Sequence, residues 1–218
     1  MSRFGSMKNF VLALAVFAVI GVVAGTAKAD IVVVTGVNNQ GTDNVLLNPA
    51  TNVLTVTGTV GQNNLLVNFT STSGSGLLNA NPSGQATVSG GTGNDPLNQL
   101  TFSLANNGTF TRAVFNINAA VNGTVTLTVT GINITGGTFV DTFQVDANGQ
   151  NFFTVTAING QLIQTISLNG VAMEDVRQVR LGGGEIQQTI PEPASMFLLG
   201  TGLLGAAAGF RKRFGKKS

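Results

Sequence analysis

Alternation with a period of two runs through the middle of the chain. It is clearest at Thr124-Val125-Thr126-Leu127-Thr128-Val129-Thr130, where aliphatic side chains fall on one face and hydroxyls on the other. Successive side chains of an extended backbone point to opposite sides, so this pattern predicts a strand with one dry and one wet face. Comparable runs cover residues 53–60, 65–70, 100–104, 109–117, 138–145, 152–158 and 162–168. Residues 173–181 are more ambiguous, but Val179 and Leu181 alternate with Gln178 and Arg180 and point to a last strand. No segment between residues 30 and 190 carries convincing helical spacing.

Turn signals separate these runs. Asn107-Gly108, Asn122-Gly123, Asn148-Gly149, Asn159-Gly160 and Asn169-Gly170 accept the positive φ of tight hairpins and recur at the spacing of an up-and-down or Greek-key protein. Together they predict an all-β domain, an antiparallel two-sheet β-sandwich of jelly-roll or carbohydrate-binding-module type. A β-solenoid would need a regular coil repeat, and the one echo is Leu54-Thr55-Val56-Thr57-Gly58 against Leu127-Thr128-Val129-Thr130-Gly131. Residues 71–98 are rich in Gly, Ser, Asn and Pro and predict long loops around one short strand at 85–89.

The two ends carry a different pattern. Arg3 and Lys8 precede an apolar stretch at residues 10–25 and then Ala27-Lys28-Ala29, with the small residues Ala27 and Ala29 placed as a signal peptidase requires. Residues 1–29 therefore read as a secretory signal peptide and 30–181 as the exported sandwich. The glycines from 182 onward read as a linker to 189, and 190–218 as a separate tail. In that tail Pro191-Glu192-Pro193 precedes an uncharged run at residues 194–210, then Arg211-Lys212-Arg213 and two further lysines. Seventeen residues of helix rise about 25 Å, just short of a hydrocarbon core of about 30 Å, so the run makes a marginal transmembrane helix. Basic residues stay on the cytoplasmic side, so the cluster Arg211, Lys212 and Arg213 anchors the tail there and leaves Pro191, Glu192 and Pro193 beyond the inner membrane. The two prolines hold that peptide extended and accessible to a protease.

Pro191-Glu192-Pro193-Ala194-Ser195, followed by Leu198-Leu199-Gly200-Thr201-Gly202-Leu203-Leu204-Gly205 and a basic end, resembles a PEP-CTERM sorting signal. The resemblance covers roughly residues 190–217 and leaves the exported domain untouched. Ile190 stands where valine is common in that family. The resemblance implies a membrane exosortase as partner, which recognises the Pro-Glu-Pro signal, cuts close to it, and releases or re-attaches the exported protein. It also implies a host that makes extracellular polysaccharide.

Removing both ends inverts the charge. The whole chain has a formal net charge of +2, yet eight of its 11 basic residues lie in the termini. Between residues 30 and 190 only Arg112, Arg177 and Arg180 remain against eight acids, a net charge of −5. A surface so poor in cations is no nucleic-acid binder. The chain has no Cys and no His, which removes disulfides, thiol nucleophiles, imidazole bases and the usual zinc ligands together.

Few constellations are left to carry chemistry. Residues 90–98 fit a calcium nonapeptide once, with Asp95 as the acid, but a single copy supplies half a site and Pro96 disfavours the strand that should follow. Asp146-Ala147-Asn148-Gly149 resembles the opening of a calcium loop and reads better as a hairpin turn. Calcium at Asp95 or Asp146 is the one cofactor considered, and no catalytic residue is assigned. Asp141 and Asp146 are an odd number of residues apart and so face away from each other, as do Glu174 and Asp175. Trp and Tyr, the usual sugar-stacking rings, are absent, and most of the 14 Phe sit at core-facing positions. The expectation is an exported, non-enzymatic surface or matrix protein associated with extracellular polysaccharide or biofilm. A secreted glycan-binding module is the second expectation and a glycan-active enzyme the third.

Overall fold

The computed structural model describes residues 30–186, apart from 84–85, 92–95 and 148. The described residues form strands and loops, with no helix among them. In chain order the first strands are β1 (Ile31–Thr35), β2 (Asp43–Asn44), β3 (Leu46–Leu47), β4 (Ala50–Val53), β5 (Thr55–Val60), β6 (Leu65–Thr70) and β7 (Leu78–Asn81). There follow β8 (Thr87–Gly90), β9 (Leu97–Leu104), β10 (Arg112–Ala119), β11 (Gly123–Ile132), β12 (Thr138–Val145), β13 (Asn151–Ala157) and β14 (Leu162–Gly182). Every strand pairing is antiparallel.

The 21-residue β14 organises the molecule. Its first half lies between β11 and β9, and its second half between β10 on one side and β8 and β2 on the other. One arm of the sheet therefore runs β12-β11-β14-β9-β6-β5-β3. The other runs β1-β13-β10-β14 and continues through β8, β7 and β4. The layers expected as two separate sheets are arms of a single hydrogen-bonded sheet that changes direction inside β14.

The turn within β14 has a local cause. Between Asn169 and Met173 four residues of β14 lie opposite the two-residue step from Gln99 to Leu97, so the ladder slips and the strand bends. Gly170 stands at that bend with φ +150°, where an added Cβ would meet the Thr124 carbonyl oxygen. The hairpin expected at Asn169-Gly170 is thus absent, because the backbone freedom of this glycine serves a bend and a close strand approach. A second bulge at Gln178, with φ 55°, lets three residues of β14 face two of β10.

The two arms meet through phenylalanine. Phe69 of β6, Phe102 of β9 and Phe143 of β12 come from one arm, and Phe115 of β10 and Phe153 of β13 from the other. Ring centroids run Phe69 to Phe102 at 5.8 Å, Phe102 to Phe115 at 5.6 Å, Phe115 to Phe153 at 5.8 Å and Phe153 to Phe143 at 5.3 Å. Burying each of the four enclosed rings, Phe69, Phe102, Phe115 and Phe153, contributes about 2 to 3 kcal/mol, the term that holds a cysteine-free domain together. Val125, Leu127 and Val129 are buried as the alternation of β11 predicts. The intervening threonines line the outer face, where Thr130 bonds Thr165 and Thr126 bonds Thr142.

Other expectations shift at the edges. Residues 71–98 hold two paired strands, β7 and β8, and the start of β9 as well, because Leu78 and Ala80 are a buried pair too short to show a period. The glycines from 182 do not begin as a free linker. Gly182 ends β14, and Glu185 exchanges two 2.8 Å backbone bonds with Thr109.

Candidate functional site

Most residues singled out by sequence lie outside the described region. These are Ala27 and Ala29, Asp95, the motif Pro191, Glu192 and Pro193, the transmembrane run at 194–210, and the basic anchor Arg211, Lys212 and Arg213. Asp146 is described and sits in a turn. Its carbonyl accepts from the Gly149 N–H and the Asn151 amide, while its own N–H donates to Asn151 Oδ1. Among the described residues no three acids gather as a cation site.

Two acids expected to face apart are brought together. The Asn118 amide donates to Glu174 Oε2 at 2.6 Å and to Asp175 Oδ2 at 3.1 Å, and Arg177 forks onto both oxygens of Asp175 at 2.6 and 2.7 Å. That geometry is a structural clasp: Asp175 is held by a cation and an amide, and Glu174 shares the amide. At the opposite end of the domain, Asp30 accepts from Thr135 N–H and Gln161 Nε2. Hydrogen bonding from the Thr135 hydroxyl, and then from its N–H, holds the Asp30 carboxyl below its ordinary pKa.

The pairing register gathers polar chemistry on the outer face of the second arm. Residues directly opposite across strands share a face. One row reads Val34, Thr154, Val114, Arg180 and Asn44 across β1, β13, β10, β14 and β2. The next reads Phe152, Asn116, Arg177 and Thr87, and the one after it Asn118, Asp175 and Ser89. Arg112, two positions before Val114 on β10, points the same way. All three arginines of residues 30–190 thus share one face. Thr154 Oγ1 donates to the Gly36 carbonyl and accepts from Asn38 N–H, which pins the loop after β1 over this face.

Beside that loop lies a groove of about 440 Å³, lined by Val37, Asn39, Asn44, Val114, Phe152 and Arg180 among others. Among the described residues Arg180 is its one charged lining residue, and its buried Nε has no hydrogen-bond partner there. Asn116, 4% exposed, likewise leaves Oδ1 unpartnered among the described residues. Sequence reasoning missed this cluster, since the pairing of Val114 with Arg180 is a contact between distant segments. The one linear signal was that only three basic residues survive between 30 and 190.

Part of the tail matches a known protein-family model. Residues 189–213 match the family model described as the PEP-CTERM protein-sorting motif. The chain carries a PEP-CTERM sorting motif. That match takes in Pro191, Glu192, Pro193 and the cluster Arg211, Lys212 and Arg213, and the PEP-CTERM motif implies an exosortase-processed, exported surface protein. No curated protein matches the chain. Among solved structures the chain is similar to CBM29_1, a family 29 carbohydrate binding module from Piromyces equi. The identity is 14%, over 74% of this chain and 97% of that one, with a TM-score of 0.27. At that score the likeness transfers nothing to this chain.

Proposed function

We propose that this chain is an exported, non-enzymatic surface or extracellular-matrix protein, delivered by a signal peptide and processed at its C-terminus by a membrane exosortase. The observation that carries the reading is the sorting motif at residues 189–213. In this account the signal peptide ends at Ala29, and Asp30 opens the folded domain, where Ile31 is already buried. The apolar run at 194–210 then holds the chain in the inner membrane, with Arg211, Lys212 and Arg213 on the cytoplasmic side. Exosortase cuts near the extended Pro191-Glu192-Pro193 peptide and sends the domain to the cell surface or the extracellular matrix, in contact with polysaccharide. The folded sheet serves as a jelly-roll-like or carbohydrate-binding-module-like sandwich, and no resident calcium is assigned to Asp95 or Asp146. A pulse-label of the Glu192→Ala variant tests the assignment: exported but uncut protein supports it, and wild-type processing contradicts it.

A second reading makes the exported domain a glycan-binding module. It is favoured by one observation, the groove whose lining combines amide side chains, a phenylalanine and an arginine. Calorimetric titration with the host's own extracellular polysaccharide tests it, saturable heat being the supporting result.

A further inference from the structure

We propose that the groove beside Arg180 binds an acidic saccharide, with the Arg180 guanidinium holding the sugar carboxylate. This rests on the second reading, that the exported domain contacts extracellular polysaccharide, and names the class of sugar.

The three arginines of this face are used differently. Arg177 is committed to Asp175, with both of its bonds on that carboxylate. Arg112 donates Nη1 to the Gln40 carbonyl at 2.7 Å and helps fasten the loop over the face. Arg180 lines the groove and, among the described residues, makes no ion pair and finds no acceptor for its buried Nε–H. A guanidinium stays charged at every physiological pH, and its planar fork matches the two oxygens of a carboxylate. An acceptor arriving in the groove meets a guanidinium charge that no acid among the described residues has neutralised.

The remaining lining suits a sugar ring. Asn39, Asn44 and Gln178 offer amide donors and acceptors for hydroxyls, while Phe152 and Pro82 present apolar surface to the C–H face of a pyranose. The volume of about 440 Å³ falls within the range of small-molecule sites. Net charge argues for a single carboxylate over a dense polyanion. Residues 30–190 carry a net charge of −5, and a strand of phosphates needs many neutralising cations where this groove offers one.

The test is a calorimetric titration of the full chain in mild detergent with trigalacturonic acid, with the same trisaccharide reduced at its carboxyls, and with sodium acetate. The expected result is saturable binding of the acidic trisaccharide, at least tenfold weaker for the reduced one and for acetate. Arg180→Gln is expected to lose at least tenfold for the acid, Arg180→Lys to lose less, and the exposed Asn44→Ala to weaken binding with melting unchanged. Equal binding of acidic and reduced trisaccharides overturns the charge assignment while leaving a glycan-binding domain standing. Acetate binding as tightly as the trisaccharide identifies a simple anion site and overturns the sugar. Acidic binding unchanged in a folded Arg180→Gln variant moves the site elsewhere and overturns the proposal. Absence of heat with every probe and with the host polysaccharide overturns both this inference and the glycan-binding reading.

Discussion

The rings of Phe102 and Phe115 meet edge to face at 5.6 Å, interplanar angle 73°, one from each arm of the folded sheet. Both are fully buried, so this contact joins the two layers at their centre. Phe115→Ala is expected to cost about 3 to 5 kcal/mol in denaturant unfolding, since the cavity opens between layers that cannot collapse independently. The double variant with Phe102→Ala should show a coupling of about 0.5 to 1.5 kcal/mol. Strict additivity would mean that the two arms do not share a core.

Gly170 provides a test of the bend in β14. A Cβ there would clash with the Thr124 carbonyl oxygen. Gly170→Ala is expected to destabilise the domain by about 2 kcal/mol or more, by clash and by backbone strain. Gly136, with φ +77° and open space around it, isolates the conformational part: Gly136→Ala should cost about 1 kcal/mol. Equal losses at the two positions would remove the close approach from the account.

Much of this fold can be read from local pattern. Residues 65–70 and 138–145 form β6 and β12 at the bounds their alternation predicts, and β11 buries Val125, Leu127 and Val129 as expected. What escaped the pattern is instructive. Ile31-Val32-Val33-Val34 is a continuous β-branched run without alternation, and it forms the edge strand β1. Asn169-Gly170 carries the chemistry of a hairpin turn, yet the same freedom at φ serves a bend within a strand, and a dipeptide does not distinguish the two uses. The sorting segment was legible because its signal is linear. The Arg180 groove was not, because it depends on which residue of β10 lies opposite which residue of β14, a register set by packing between segments far apart in sequence.

Asp30 gives a pH dependence with a defined sign. Its carboxyl is held below its ordinary value of 3.8 by Thr135, so the native state favours the ionised form more than the unfolded chain does. The associated stability is present above about pH 4 and fades as pH falls through the lower folded value. Melting curves of wild type and Asp30→Asn should therefore differ at pH 6 and converge toward pH 2. A constant gap across that range would assign the effect to something other than ionisation.

Chelation addresses the calcium candidates. Asp146 spends its backbone on the turn with Asn151, and the account assigns no ion to it or to Asp95. The melting temperature in EDTA should stay within about 1 °C of that in calcium. A fall of about 5 °C or more would mean a bound ion contributing over a kilocalorie per mole and would contradict the assignment.

If the tail is a processing signal, intact-mass analysis of the surface and extracellular material will show the cut. The account predicts a chain that begins at Asp30, ends near residues 190–194 and lacks residues 211–218. The variant without Arg211, Lys212 and Arg213 should be exported yet remain full length at its C-terminus. Native surface material that retains residues 197–217 would contradict the account and leave the tail as a permanent anchor.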